Sequence, residues 1–335
     1  MASGNEIILL EHGSGGQASQ ELLEEVFFPL LKDVLPLDSA LLAPAAEGKM
    51  AFTTDTFVVT PIFFPGGDIG SLAVHGTIND LAMVGARPLY LSVAFILEEG
   101  LPLDTLKRVV SSLAEAARRA GVQVVCGDTK VVPRGKADQV FINTSGLGLV
   151  PPGTDVRPER IVPGDAIIVS GPIAEHGLAV LSAREDLGLE GLRSDSQPLH
   201  RAVSALLEEL GPDLHALRDP TRGGLGSTLN ELAEECRATF VLHEEALPLR
   251  PEVEAGCEIL GLDPLYLACE GRFVAFVAPE RAEDALAVLK RLPETDSASV
   301  VGEVVSGPPR VLLRTRYGGT RVVTRLRGEA LPRIC

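Results

Sequence analysis

Four runs rich in β-branched or aromatic residues are spaced through the first half of the chain: AFTTDTFVV (51–59), LYLSVAFIL (89–97), VQVVCGDTKVV (122–132) and VFINTSGLGLV (140–150). Runs of this kind suit strands. Between them, SLAVHGTINDLAMVG (71–85) places apolar residues at helical spacing and stops at Gly85, with Pro88 just beyond. LDTLKRVVSSLAEAARRAG (103–121) does the same and stops at Gly121. The first half is therefore a mixture of strands and helices. PPGTDVRPERIVPGD (151–165) then crowds proline, glycine and charge together, as a domain boundary would.

Beyond it, AIIVSGPI (166–173), RFVAFVAPE, ASVVGEVV, RVLLRTR and TRVVTRL read as further strands. Helical stretches start at Glu175 and after DPTRGG (219–224). A chain of 335 residues exceeds what one core usually serves, so two domains of roughly 150 residues each are expected. The expected limits are 1–152, 153–324 and a mobile tail, 325–335. Its closing stretch, GEALPRIC, runs from Gly328 to Cys335 and would reach roughly 23 Å when extended.

Several function classes are disfavoured. The formal charge of -16, with basic residues scattered among acids, argues against nucleic acid. No apolar run approaches the roughly 18–20 residues of a membrane span, and no secretory signal is visible, so a cytoplasmic protein is expected. The five cysteines form no CxxC pair, which argues against a disulfide framework and a structural zinc site.

The residues that can do chemistry are acidic. Asp55, Asp80 and Asp128 each lie in an otherwise apolar strand or helix, where an unpaired charge is costly. Three such oxygen ligands suit Mg²⁺ beside the phosphates of a nucleotide; taken singly, each could equally cap a helix or turn. The segment 11–27 runs a Gly-Ser loop into an amphipathic helix, and Gly223 and Gly224 precede a long helix with Arg222 beside them. Either layout can offer backbone N–H groups to an anion or be an ordinary helix start. Lys130, two residues after Asp128, could face a phosphate or solvent. Glu270, in ACEGRFVAF, could be a base of raised pKa at the start of a strand, or could form a salt bridge to Arg272. His75, His176 and His243 have no metal-like spacing and read as structural.

In order, HGSGG (12–16), TTDT (53–56), FFPGG (63–67), ND (79–80), FILEEGLP (95–102), GDTKVV (127–132), FINT (141–144), DPTRGG (219–224) and the closing PRIC (332–335) resemble the HypE family of hydrogenase maturation factors. These are carbamoyl dehydratases that help make the cyanide ligands of nickel–iron hydrogenases. The Asp-bearing segments are also similar to the wider superfamily of aminoimidazole ribonucleotide synthase, selenophosphate synthetase and thiamine monophosphate kinase.

The resemblance implies an α+β chain of two α/β layered domains of the aminoimidazole ribonucleotide synthase type. It also implies a homodimer whose N-terminal sheets pair, and a flexible tail. ATP and Mg²⁺ would be bound by Asp55, Asp80 and Asp128, with Thr54, Asn79, Gly127, Thr129, Lys130, Arg222, Gly223 and Gly224 nearby. Gly13, Ser14, Gly15 and Gly16 would close over the phosphates. Asp68, in PGGDIG, looks like a fourth metal carboxylate of the selenophosphate enzymes. In the implied reaction the thiol of Cys335 carries a carbamoyl group that is dehydrated to a thiocyanate, with Lys130 offsetting phosphoryl charge and Glu270 as base. Arg333 would partly offset the effect of the terminal carboxylate on that thiol. The implied partners are the carbamoyltransferase HypF upstream and the HypC–HypD iron scaffold downstream. Two rival readings remain: a small-molecule kinase or synthase of the same superfamily, and a tail that merely docks partners.

Overall fold

The structure is a computed structural model and describes residues 7–13, 17–32, 47–326, 331 and 333–335. Near the N-terminus, α1 (Gln17–Leu22) runs into a wide helical turn at Leu23–Phe27. Next come β1 (Lys49–Phe57), a short hairpin of β2 (Phe63–Phe64) and β3 (Gly67–Asp68), and α2 (Ile69–Met83). They are followed by β4 (Arg87–Glu98), α3 (Leu103–Ala120), β5 (Gln123–Val132) and β6 (Val140–Val150).

One sheet has the order β1-β6-β4-β5. Its pairs are antiparallel except β4–β5, which is parallel because the helical crossover α3 returns the chain to the same end. Along β1 the period of two is plain: Thr53, Asp55 and Phe57 turn inward to α2, whereas Phe52, Thr54 and Thr56 face the open side. α3 ends as its sequence predicts, with Gly121 at φ 69 donating its N–H to Ala117 and Arg118 carbonyls.

The second half supplies β7 (Ala166–Val169), α4 (Glu175–Arg184), α5 (His200–Leu210), β8 (Leu214–Arg218), α6 (Gly224–Cys236) and β9 (Thr239–His243). It continues with α7 (Pro251–Leu260), β10 (Val274–Val277), α8 (Ala282–Leu289), β11 (Ser299–Val305), β12 (Arg310–Arg314) and β13 (Thr320–Val323). Seven strands form a sheet in the order β13-β12-β9-β11-β7-β10-β8. Its centre is covered on both faces. Ile167, Val169 and Phe276 pack with Leu225 and Leu229 of α6, while Ile168, Ala275 and Val277 pack with Leu206 of α5 and Leu289 of α8. Burial on two faces is why AIIV and VAFV are unbroken apolar runs and not alternating ones.

α2 joins the two halves. Its Ile69, Leu72 and Ile78 belong to the core under the first sheet, and its Ala82 and Met83 pack with Leu199, Leu206 and Leu217 of the second half. A helix covered on both sides carries apolar residues on both, as this one does around the polar stretch of Asn79 and Asp80. Asp68 caps it, accepting the N–H groups of Gly70 and Ser71, so this carboxylate is engaged at a helix start and not in a metal site.

Candidate active site

The inner face of β1 and the last turn of α2 bring Asp55 and Asp80 together. Asp80 accepts the Thr53 hydroxyl at 2.9 Å, and Asp55 accepts the Thr56 N–H at 2.7 Å. Burial raises the pKa of both; Asp80 is pushed up to about 6, and the charge of Asp55 adds to its shift. Sequence reasoning missed a third member. Asp219, just after β8, is pushed up to about 7 by burial and then by the charge of Asp80. It lies within DPTRGG, so its position before the glycines was the available signal.

Glu270 completes the acidic group. It lies in the loop before β10, is 3 % exposed, and its Oε1 has no hydrogen-bond partner. Burial, then the charges of Asp219, Asp195, Asp55 and Asp80, raise its pKa well above the ordinary range. Arg272 does not pair with it: that guanidinium bonds Glu175 at 2.9 Å and approaches Asp195 at 3.7 Å. Both sides of Glu270 are pinned through its main chain, the N–H to Asp195 Oδ1 at 2.9 Å and the carbonyl from Asn79 Nδ2 at 3.2 Å. A Cβ on the next residue, Gly271, would lie 1.8 Å from the Asp195 carbonyl oxygen, so only glycine permits this close approach.

Asn79 itself corrects an expectation. It is buried, its amide donates to the Gln197 and Glu270 carbonyls, and its oxygen accepts the Leu199 N–H. Both amide hydrogens are used inside the protein, which leaves none for a nucleotide.

The sheet order separates Asp128 from the group. Asp128 registers with Ala94, Asn143 and Thr56, so it points to the open face, whereas Asp55 points inward. Three inter-strand gaps set these edges roughly 14 Å apart. Asp128 is held below the usual carboxylate range by a hydrogen bond from Lys130, whose Nζ lies at 2.9 Å. Within one chain, then, the expected trio of carboxylates is not assembled, and Lys130 is not beside Glu270. Thr129 donates its N–H to Asp128, Gly127 lies in β5 against the Val93 carbonyl, and Thr54 donates to the Thr144 carbonyl. Gly13 ends a helical turn at Leu10–Gly13; Ser14, Gly15 and Gly16 lie outside the described residues.

The C-terminus closes the site. Instead of the mobile end expected, Arg333, Ile334 and Cys335 are docked along the segment after β1. The Val58 N–H donates to a terminal carboxylate oxygen of Cys335 at 3.0 Å, and the Thr60 N–H to the Arg333 carbonyl at 3.3 Å. Ile334, 4 % exposed, enters the core beneath the first sheet. A buried isoleucine and satisfied carbonyls are the physical reason the end is seated. Cys335 lines a cavity of about 410 Å³ with Thr56, Arg222, Gly223 and Ser227. Its thiol is pushed up to about 12 by burial and then by Glu270, with Arg222 opposing. The offsetting cation is therefore Arg222. Arg333 is turned away, bonded to the Val58 carbonyl and to Asp138 at 2.8 Å. Gly223 caps α6 with φ 79 and Gly224 follows with φ 61, its N–H taken by the Thr221 carbonyl at 3.0 Å; Gly223 and Ser227 of that helix start line the cavity beside Arg222.

Among the described residues no group of three His, Cys, Asp or Glu side chains is arranged to hold a metal. Two carboxylates that burial drives toward protonation, with the charge of Asp55 adding to the effect at Asp80, still fit Mg²⁺, which usually takes one or two carboxylates and completes its shell with water and phosphate oxygens. No helix is long and apolar enough to cross a membrane, again among the described residues.

Residues 37–150 match the family model of the AIR synthase related protein N-terminal domain, and residues 162–313 that of its C-terminal domain. The chain is 52 % identical over 336 residues to the carbamoyl dehydratase HypE of Azotobacter vinelandii, covering 99 % of this chain and 98 % of the relative. The chain belongs to the HypE family of carbamoyl dehydratases. A crystal structure of the hydrogenase maturation protein HypE in complex with ATP superposes with TM-score 0.94 at 48 % identity, covering 98 % of this chain and 99 % of that one. A HypE–HypF complex matches with TM-score 0.81 at 43 % identity, covering 93 % of this chain and all of that one. Membership in the HypE family bears out the two-part α/β architecture and the enzyme class expected from the motifs.

Proposed function

We propose that this protein dehydrates a carbamoyl group carried on its own Cys335, using ATP, to give an S-cyanide for hydrogenase metallocentre assembly. The single observation that carries this reading is the docking of Cys335 in a cavity lined by Arg222 and a helix start, where its thiol feels the charge of the orphaned, buried carboxyl group of Glu270.

An amide oxygen leaves poorly, so the thiocarbamate S–C(=O)–NH₂ first needs a better leaving group. Transfer of the γ-phosphoryl group of ATP to that oxygen supplies one and releases ADP. Two N–H protons are then lost as phosphate departs, leaving S–C≡N. Arg222 and the N–H groups at the start of α6 bind anionic oxygens. Glu270, desolvated and surrounded by other carboxylates, is a strong base once ionised and takes a proton from nitrogen. Asp55 and Asp80 would hold Mg²⁺, which when bound offsets charge on the transferring group.

Carriage also requires that the tail leave. Among the described residues, six hydrogen bonds hold its last three residues. At about 1 kcal/mol net each, with about 2 kcal/mol for the buried Ile334 side chain, they are opposed by about 2–3 kcal/mol per ordered residue. The two sides come within a few kcal/mol, so a docked end can exchange with an extended one. That exchange would let HypF, a carbamoyl donor, reach the thiol, and the HypC–HypD scaffold accept cyanide. The relative solved together with HypF supports the first of these.

The test is mass spectrometry of the C-terminal peptide after incubation with a carbamoyl donor system and ATP. A carbamoylated Cys335 should lose one water, and the loss should fail in Glu270→Gln. Dehydration of a free small molecule by protein lacking Cys335 would instead favour the superfamily alternative.

A further inference from the structure

His176, which reads as structural in the sequence, touches the tail. His176, in the first turn of α4, places Nε2 at 2.8 Å from the Ile334 carbonyl oxygen and Nδ1 at 2.7 Å from Ser194 Oγ. A carbonyl only accepts, so Nε2 carries the ring proton and donates it. In the neutral ring Nδ1 then accepts from the Ser194 hydroxyl, whose oxygen in turn takes the Ser196 N–H at 3.0 Å. Burial keeps the ring neutral, its pKa pushed down to about 4, and Phe64 packs edge-on against it with 5.4 Å between centroids. At the far end of the same helix, Arg184 donates to the Arg333 carbonyl at 2.6 Å and to the Thr60 carbonyl at 2.8 Å.

We propose that His176, assisted by Arg184, is the positioning residue that seats Cys335 for dehydration by reading the main-chain carbonyls of residues 333 and 334; this rests on the function proposed above. With the Val58 N–H on a terminal carboxylate oxygen of Cys335, a main-chain oxygen of each of the last three residues is engaged. None of these contacts involves the Cys335 side chain. The seat is therefore the same whether the sulfur carries a proton, a carbamoyl group or a cyano group. α4 holds the carrier's backbone while the chemistry changes its cargo.

The test uses iodoacetamide labelling of the full-length protein, read from the C-terminal peptide by mass spectrometry. Buried Cys269, 0 % exposed, reports unfolding in the same digest. Removing the donor in His176→Phe is expected to speed Cys335 labelling about tenfold, the equivalent of about 1.4 kcal/mol, and to slow dehydration by a similar factor with ATP affinity unchanged. His176→Gln, whose amide can still donate, should recover most of both. Equal labelling in wild type and His176→Phe, or a glutamine variant no better than phenylalanine, overturns the proposal. If Cys269 labels in His176→Phe, Arg184→Gln carries the same expectation and the same refutation. A tail that is protected as predicted yet never bears a carbamoyl group would overturn the proposed function alone.

Discussion

Asp80 and Asp219 show how a residue's surroundings become a measurable property of the whole protein. Both hold their protons more tightly in the folded chain than at the ordinary carboxylate value of 3.8, to about 6 and about 7. Between about pH 4 and 7 the folded state therefore binds more protons than the unfolded one, and these two groups make stability fall as pH rises through that window. Above it both are ionised against their preference, and a divalent cation relieves the repulsion. At pH 5 protons already do so and compete with the metal. Mg²⁺ is accordingly expected to raise the unfolding temperature more at pH 8 than at pH 5. Equal increments in thermal melts at the two pH values would remove this acidic group as the metal's binding place.

At the scale of elements, the start of α6 depends on two glycines. Gly224 has φ 61, and a Cβ there would stand 2.6 Å from the Leu267 carbonyl oxygen and 2.7 Å from that of Leu265. Gly224→Ala combines a left-handed backbone with a clash against main chain that cannot step aside. A loss of about 2 kcal/mol or more is expected in denaturant unfolding, together with weaker nucleotide binding. Full stability in this variant would show that the loop relaxes freely.

This glycine pair was legible in the sequence, as were β1, β4, β5 and β6, because half-buried or buried strands leave apolar runs with turn residues around them. β8, β9, α5, α7 and α8 were not singled out: the two strands are only five residues long and their pairing is decided by distant strands, whereas Pro251 and Gly261 bracket α7 and were an available signal. The same limit explains the site. The motifs marked Asp55, Asp80 and Glu270, but only sheet order reveals that Asp128 points to the other face. Only the folded tail makes His176 more than a buried ring.

For the whole molecule, Asp128 and Lys130 pose a question of reach. If they serve the nucleotide held near Asp55 and Asp80, one chain cannot deliver them, being on the opposite edge and face of the sheet. That same open face exposes Phe52 by 68 %, Met50 by 50 % and Ile96 by 43 %, more apolar surface than a solvated strand face needs. Sheet-on-sheet pairing with a second copy, the homodimer the family resemblance implies, would cover it and, around the free edge of β1, carry the partner copy's equivalents of Asp128 and Lys130 toward the acidic group. Phe52→Asp places a charge in the middle of that face without touching the inward residues of β1. The variant is expected to run as a monomer in size-exclusion chromatography with light scattering, to keep its fold by circular dichroism, and to bind ATP at least about tenfold more weakly, since each lost charged contact is worth about 1.5–3 kcal/mol. A monomer with wild-type ATP affinity would mean that Asp128 and Lys130 lie outside the nucleotide site altogether.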